Sequence, residues 1–129
     1  MKITANLIVP SIEACLPFWI DRLGFTKVTE VPEDETIGFV ILVKDGAELM
    51  LQSERSLAND VAGAPRDGYR TALYVHVASL AEVQRALAGY DAIVVAERTT
   101  FYGARETIVR DPAGNVVAFA EHQPSSDHA

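Results

Sequence analysis

The chain has 129 residues, is 49% hydrophobic and 22% charged, and carries 11 Lys and Arg against 18 Asp and Glu, a formal charge of −7. That apolar fraction excludes a disordered tail, and the length suits one compact domain whose core needs neither disulfides nor a structural metal. The acidic balance argues against nucleic acid, whose phosphates demand a basic surface, and the longest apolar stretch, residues 37–43, is far short of the ~20 residues of a membrane span.

Residues 2–9 alternate well enough to read as a strand, which Pro10 ends. Ser11 can cap the following helix, with Glu13 well placed in its first turn. Ile12, Leu16, Trp19, Ile20 and Leu23 then recur at three and four residues, giving one apolar helical stripe. Pro17 lies past the first turn and removes a backbone donor, which predicts a kink or a helix that properly begins near it. Gly24 is the natural stop. Residues 25–31 read as a strand and 32–35 as an acidic turn. Two β-rich runs, 37–43 and 48–52, meet at Asp45-Gly46, a strong hairpin signal. Residues 53–68 have little period and several turn formers, which predicts a connecting loop.

The order then starts again. Residues 70–77 read as a strand, and Ser79 with Glu82 forms a capping box that opens a helix through about residue 88. A strand over 91–99 leads into a loop containing Phe101, Tyr102 and Gly103. Strands over 105–110 and 116–121 are joined at Asp111-Pro112-Ala113-Gly114-Asn115, and the tail 123–129 is polar. Val9 and Val77, Ser11 and Ser79, Ile12 and Leu80, and Gly46 and Gly114 are each 68 residues apart in matching roles. The two halves therefore read as an internal duplication of a β-α-β-β-β module.

The string Leu7-Ile8-Val9-Pro10-Ser11-Ile12-Glu13-Ala14, followed by Phe18-Trp19 and Leu23-Gly24-Phe25, resembles the opening of the vicinal oxygen chelate superfamily. Tyr102-Gly103, Arg105-Glu106 and residues 111–115 supply the matching close. This superfamily includes glyoxalase I, extradiol dioxygenases, fosfomycin resistance enzymes and bleomycin resistance proteins. The resemblance implies an α+β fold in which two β-α-β-β-β modules form a curved eight-stranded, cup-shaped sheet. It places a single domain over residues 1–122, with module one at about 1–53 and module two at about 70–122. Small members usually pair, so a homodimer is implied, with sites between modules and often between subunits.

The metal-dependent members take ligands from two places in each module. Those places correspond here to Thr4, Met50, Ala72 and Ala118, none of which offers a carboxylate or an imidazole. The neighbouring Ala5, Leu49, Leu51, Leu73, Val117 and Phe119 are no better. No metal site and no cofactor is therefore expected, and glyoxalase or dioxygenase chemistry of the usual kind is not.

Strand parity sorts the same residues. Leu7, Val9, Leu49, Leu51, Leu73, Val75, Val77, Val117 and Phe119 should pack under the helices, since successive side chains point to opposite faces. The other set should line the concave face, with Ala72, Ala118 and Ala120 leaving room and Asn6, Gln52, Tyr74 and His76 supplying polar handles, a pattern suited to a small ligand.

Glu106 shares the parity of Ile108 and Arg110; buried, it is either functional or matched by Arg98, Arg105 or Arg110. His76 reads either as a general base or ligand partner, or as a strand histidine satisfied by a neighbour; no paired carboxylate identifies the first. Tyr102, beside Phe101, either stacks on a planar or cationic ligand or packs a loop against the rim. His122 and His128 read as solvent-facing, Phe18 and Trp19 as core or dimer contacts, and Asp111 and Asn115 as hairpin geometry. Cys15 has no partner for an internal disulfide and reads as a small hydrophobe, and the start of the chain lacks a secretory pattern, which predicts a cytoplasmic protein.

The leading expectation is a metal-free, homodimeric binding protein for a drug or metabolite, with Asn6, Gln52, Tyr74, His76, Tyr102 and Glu106 as ligand-binding candidates. A lyase or isomerase using Glu106 and His76 as acid–base groups is the alternative, and a regulatory or structural dimer the third. The ligand is a small molecule in the first two; nucleic acid and membrane are not expected partners.

Overall fold

Both serines marked as helix caps act as caps in the computed structural model, which describes residues 1–65 and 68–123. Ser11 and Ser79 have extended backbones, and each side-chain oxygen accepts at 3.2 Å from the N–H three residues on, that of Ala14 or Glu82. This satisfies one of the donors that a helix start leaves open. Behind each cap an apolar residue, Ile12 or Leu80, is fully buried. The polar tail from residue 124, including His128, lies outside the described residues.

The chain divides into two compact units, Met1–Thr71 and from Ala72 onward. The first contains β1 (Ala5–Val9), α1 (Ile12–Leu16), a π-helical segment (Pro17–Arg22), β2 (Thr26–Glu33), β3 (Thr36–Lys44), β4 (Ala47–Ser53) and α2 (Glu54–Asp60). Its sheet has the order β1-β4-β3-β2, parallel between β1 and β4 and antiparallel elsewhere. The second contains β5 (Ala72–His76), α3 (Leu80–Ala86), β6 (Ile93–Thr99), β7 (Ala104–Arg110) and β8 (Val116–His122), in the order β5-β8-β7-β6 with β5 parallel to β8. The fold is α+β, with one β-α-β-β-β arrangement in each unit. Among the described residues no helix is long and apolar enough to cross a membrane.

In the first unit Leu7, Val9, Val40, Leu42, Leu49 and Leu51 fall on one face of the sheet and are all buried. In the second, Thr107, Val109, Val117 and Phe119 do the same, while Leu73 and Val75 on the edge strand are half-buried. The opposite faces carry the mixed side chains that the alternation predicts.

Pro17 decides the form of the first helix. Having no N–H, it cannot continue the regular ladder, and the helix widens at it: the N–H of Leu23 reaches the Phe18 carbonyl at 3.1 Å. Gly24, at φ 82°, closes the segment as expected, and Lys44 Nζ donates to the Leu23 carbonyl exposed there. Phe18 and Trp19 are buried, with Trp19 edge-on to both Phe18 and Phe25.

Two local expectations change. Pro32 and Glu33, read as part of a turn, extend β2, so the turn shrinks to Asp34-Glu35. Proline is tolerated there because β2 is an edge strand and the ladder is broken beside it, the pairing passing from Val31↔Phe39 to Pro32↔Ile37 and skipping Gly38. The second change is α2, which replaces the first part of the expected loop. Ser53 starts it by accepting from the Ser56 N–H at 3.0 Å, yet the helix fully buries none of its residues, so no apolar stripe announces it. Ser53→Ala should cost about 1 kcal/mol, the usual value of an N-cap, and amide hydrogen exchange should show the loss in residues 54–60.

Candidate functional site

Strand pairing builds the site. Across β5, β8, β7 and β6, His76, Ala120, Glu106 and Arg98 stand opposite one another in one row. Ala120 and Glu106 are both fully buried in this row. One row along, Tyr74 lies opposite Ala118 and Ala118 opposite Ile108. The β6–β7 loop is tight: the Thr100 N–H donates to the Ala104 carbonyl at 2.8 Å and the Ala104 N–H to Thr100 Oγ1 at 3.0 Å. Gly103, at φ 86°, makes the turn possible and returns Tyr102 to Glu106.

Glu106 is 0% exposed, and a buried carboxylate needs partners. Tyr102 Oη donates to its Oε2 at 2.6 Å, Tyr74 Oη to the same oxygen at 2.7 Å, and Arg98 Nε to Oε1 at 2.9 Å. Of the three arginines in reach by sequence, Arg98 is therefore the partner. Arg105 pairs with Glu97 at 3.1 Å and Glu121 at 3.9 Å, and the Arg110 carbonyl accepts from Tyr90. The Tyr102 hydroxyl, then Tyr74 and Arg98, hold the Glu106 carboxyl below its usual range, against the opposing effect of burial. The same contact, seen from the other side, raises the Tyr74 phenol.

The rings form a rim around this carboxylate. His76 stacks on His122 with centroids 5.0 Å apart and planes at 28°, and Tyr74 meets His76 edge-on at 5.1 Å. Tyr102 lies at 30° to His122, 6.4 Å away, and Tyr74 Oη is 3.4 Å from His122 Nε2. The hydroxyls of Tyr74 and Tyr102 turn inward, while the residues stay 43% and 49% exposed. His122 is exposed, as read from the sequence, but it belongs to the cluster. Its alternation with Ala118 and Ala120 along β8 is the signal that places it on this face.

Tyr74, His76, Tyr102 and Glu106 are thus brought together in the second unit. Asn6 and Gln52 belong to the first, where Asn6 Nδ2 donates to Gln52 Oε1 at 3.0 Å. The superfamily's ligand places do not fit a divalent ion. Thr4 Oγ1 donates to Glu48 at 3.2 Å, Met50 lies opposite Asn6, and Ala118 opposite Tyr74. They offer a hydroxyl, a thioether and two methyls in all. Among the described residues no group of three or more His, Cys, Asp and Glu converges on one point.

The family model described as the Glyoxalase/Bleomycin resistance protein/Dioxygenase superfamily matches residues 3–119. The chain belongs to this superfamily. Solved structures share its fold at low identity. TioX from Micromonospora sp. ML1 has a TM-score of 0.76 and 21% identity, covering 95% of this chain and 99% of its own. The bleomycin resistance determinant encoded on the transposon Tn5 has 0.70 and 20%, covering 96% and 99%. A bleomycin-binding protein complexed with bleomycin has 0.67 and 20%, covering 95% and 99%. No curated protein sequence matches the chain.

Proposed function

We propose that this superfamily member binds a planar small molecule on the Tyr74–His76–Tyr102–His122 surface and sequesters it, without the metal used by the superfamily's enzymes. The observation that carries this reading is the use made of Glu106. It holds two tyrosines by their hydroxyls, so the rings are fixed in place with part of their surface open to a ligand. Rings held in advance lose little freedom on binding, which favours affinity. A structural relative that binds bleomycin supports a drug or metabolite as the occupant. We take the working form to be a homodimer, as in small members of the superfamily; light scattering that gives a monomer mass would remove this part.

Acid–base catalysis of a lyase or isomerase type is the lesser reading. A carboxylate held ionised by three donors and closed to solvent is a poor proton acceptor.

Calorimetric titration with bleomycin and a panel of fused-ring aromatic antibiotics tests the proposal. A binder should lose affinity roughly 2- to 10-fold with Tyr102→Ala or His122→Ala, since one aromatic contact is worth about 0.5–1.5 kcal/mol. No heat from any compound at millimolar concentration would refute it.

A further inference from the structure

We infer that the second unit carries a small-molecule site between α3 and its sheet, on the face opposite to Glu106, and that this site takes a neutral hydrogen-bond donor with a compact apolar body, a phenol or an alcohol. The inference does not rest on the proposed function, because it uses none of the same residues.

Comparison of the two modules identifies the place. The row Val75–Phe119–Thr107, on the helix side of the second sheet, has its counterpart in Leu7–Leu51–Val40 of the first. Val75 and Phe119 stand 68 residues after Leu7 and Leu51, and Thr107 stands 67 after Val40. In the helices, counted from the capping serines, Gln84 matches Leu16 and Leu87 matches Trp19. The first unit thus has Leu16, Trp19 and Val40 where the second has Gln84, Leu87 and Thr107. An indole is exchanged for a smaller aliphatic group, and two apolar side chains for two polar ones. The second helix also stops at Ala86, whereas the first continues through its π-helical segment to Arg22.

The thinner cover leaves a cleft of ≈ 400 Å³, within the size range of small-ligand pockets. Leu87, Ile93 and Ala96 give it an apolar lining, Leu87 buried and the other two open to solvent. Gln84 reaches from α3 to the sheet, where its Nε2 donates to Glu97 Oε1 at 2.7 Å and to Thr107 Oγ1 at 3.2 Å. Thr107, buried, donates in turn to the Ala96 carbonyl at 2.7 Å. The Glu97 carboxylate can only accept, which fixes the orientation of the Gln84 amide.

Hydrogen-bond accounting selects the occupant. Both N–H bonds of Gln84 and the O–H of Thr107 are engaged, and Glu97 is held ionised, below the usual carboxylate range, by Arg105 first and then Gln84. The side chains of the cleft therefore have no donor left to offer, while Gln84 Oε1 accepts no hydrogen bond from any described residue. A ligand must bring the proton. It need bring no charge, because Arg105 meets Glu97 through Nη2 at 3.1 Å and Nε at 3.3 Å. An ether or ketone of the same shape would leave Gln84 Oε1 unmet, and an anion would face Glu97.

The probe is p-cresol, with its methyl ether as the counterpart that lacks the donor, each titrated into the full chain with labelled amides and Leu and Ile methyls and followed by nuclear magnetic resonance. The phenol should shift the Gln84 side-chain amide and the Leu87 and Ile93 methyls saturably, and the ether should bind roughly 5-fold more weakly, the loss of one hydrogen bond. Gln84→Leu should bind the two compounds equally. Leu87→Trp should fill the cleft and abolish phenol binding. Absence of shifts at Gln84, Leu87 and Ile93, equal affinity of the wild type for both compounds, a preference that survives Gln84→Leu, or phenol binding unchanged in Leu87→Trp would overturn the inference. Shifts confined to Tyr74, His76 and Tyr102 would also overturn it while leaving the aromatic-surface reading intact.

Discussion

Glu106→Ala is expected to cost about 2–4 kcal/mol of folding stability and to release both rim tyrosines at once. Hydrogen bonds to an ionised group contribute about 1.5–3 kcal/mol each and do not add when they share one acceptor group. The cost stays below the sum of three such bonds because Arg98 is half exposed and Tyr74 and Tyr102 open to water, so the truncation strands no buried charge. Glu106→Gln keeps the shape but turns an N–H toward one of three donors, and should lie between wild type and Ala.

The pH dependence identifies the cause. The carboxyl is held low by Tyr102 first, then Tyr74 and Arg98, so between its folded and unfolded values the unfolded chain binds more protons. Its stabilisation is therefore complete above the unfolded value and disappears as pH falls through the lower, folded one. Urea denaturation should show a constant gap between wild type and Glu106→Gln near neutral pH, shrinking below about pH 4, where unfolded glutamate protonates. A gap unchanged down to pH 3 would mean that the carboxyl is not held ionised. Tyr74 acts in the opposite direction. Its phenol is raised in the fold, so its share is present below the ordinary tyrosine range and is lost as pH rises beyond it.

Asp111→Ala should be comparably severe, about 2–4 kcal/mol, for a reason confined to one hairpin. Asp111 is 3% exposed, and its carboxylate accepts from the N–H of Ala113 at 3.0 Å, the N–H of Asn115 at 2.8 Å and Asn115 Nδ2 at 3.1 Å. Truncation removes an acceptor from two donors of a buried asparagine, each worth about 1–3 kcal/mol when left unmet. Asp111→Asn is the informative control, since its oxygen can serve the backbone donors while its amide opposes that of Asn115. The denaturation midpoint should fall in the order wild type, Asn, Ala with an unchanged slope. Equal stability of all three would show that the backbone alone sets this turn.

The hairpin also explains what the 68-residue offset conceals. Asp45-Gly46 joins β3 to β4 with two residues, both at positive φ, whereas residues 111–115 join β7 to β8 with five. Loop length sets hairpin register, so a constant offset matches Glu106 to Gly38, whereas the ladders match it to Phe39. The polar and apolar versions of the same row come into view only through that pairing.

Much of the site was open to reading along the chain. Alternation placed Tyr74, His76 and Glu106 on one face, and the need of a buried carboxylate for partners narrowed the cation to three arginines. Choosing among Arg98, Arg105 and Arg110 required the β6–β7 pairing, which is irregular between Ile93 and Arg98 and therefore not countable from either end. The inward turn of the Tyr102 hydroxyl depends on a four-residue loop held by Thr100, and the stacking of His122 on His76 joins strands 46 residues apart.

What the sequence by itself determined about this acidic chain of 129 residues is its plan: two β-α-β-β-β halves, two serine-capped helices, their stops, the tight hairpins and the buried face of each sheet. These features follow from caps, turn residues and periodicities that act within a few neighbours. The tertiary structure decided which arginine meets Glu106, which rings surround it, and that α2 forms. Each of these depends on register, on a bulge, or on a helix whose contacts come from distant residues, and no local pattern encodes them.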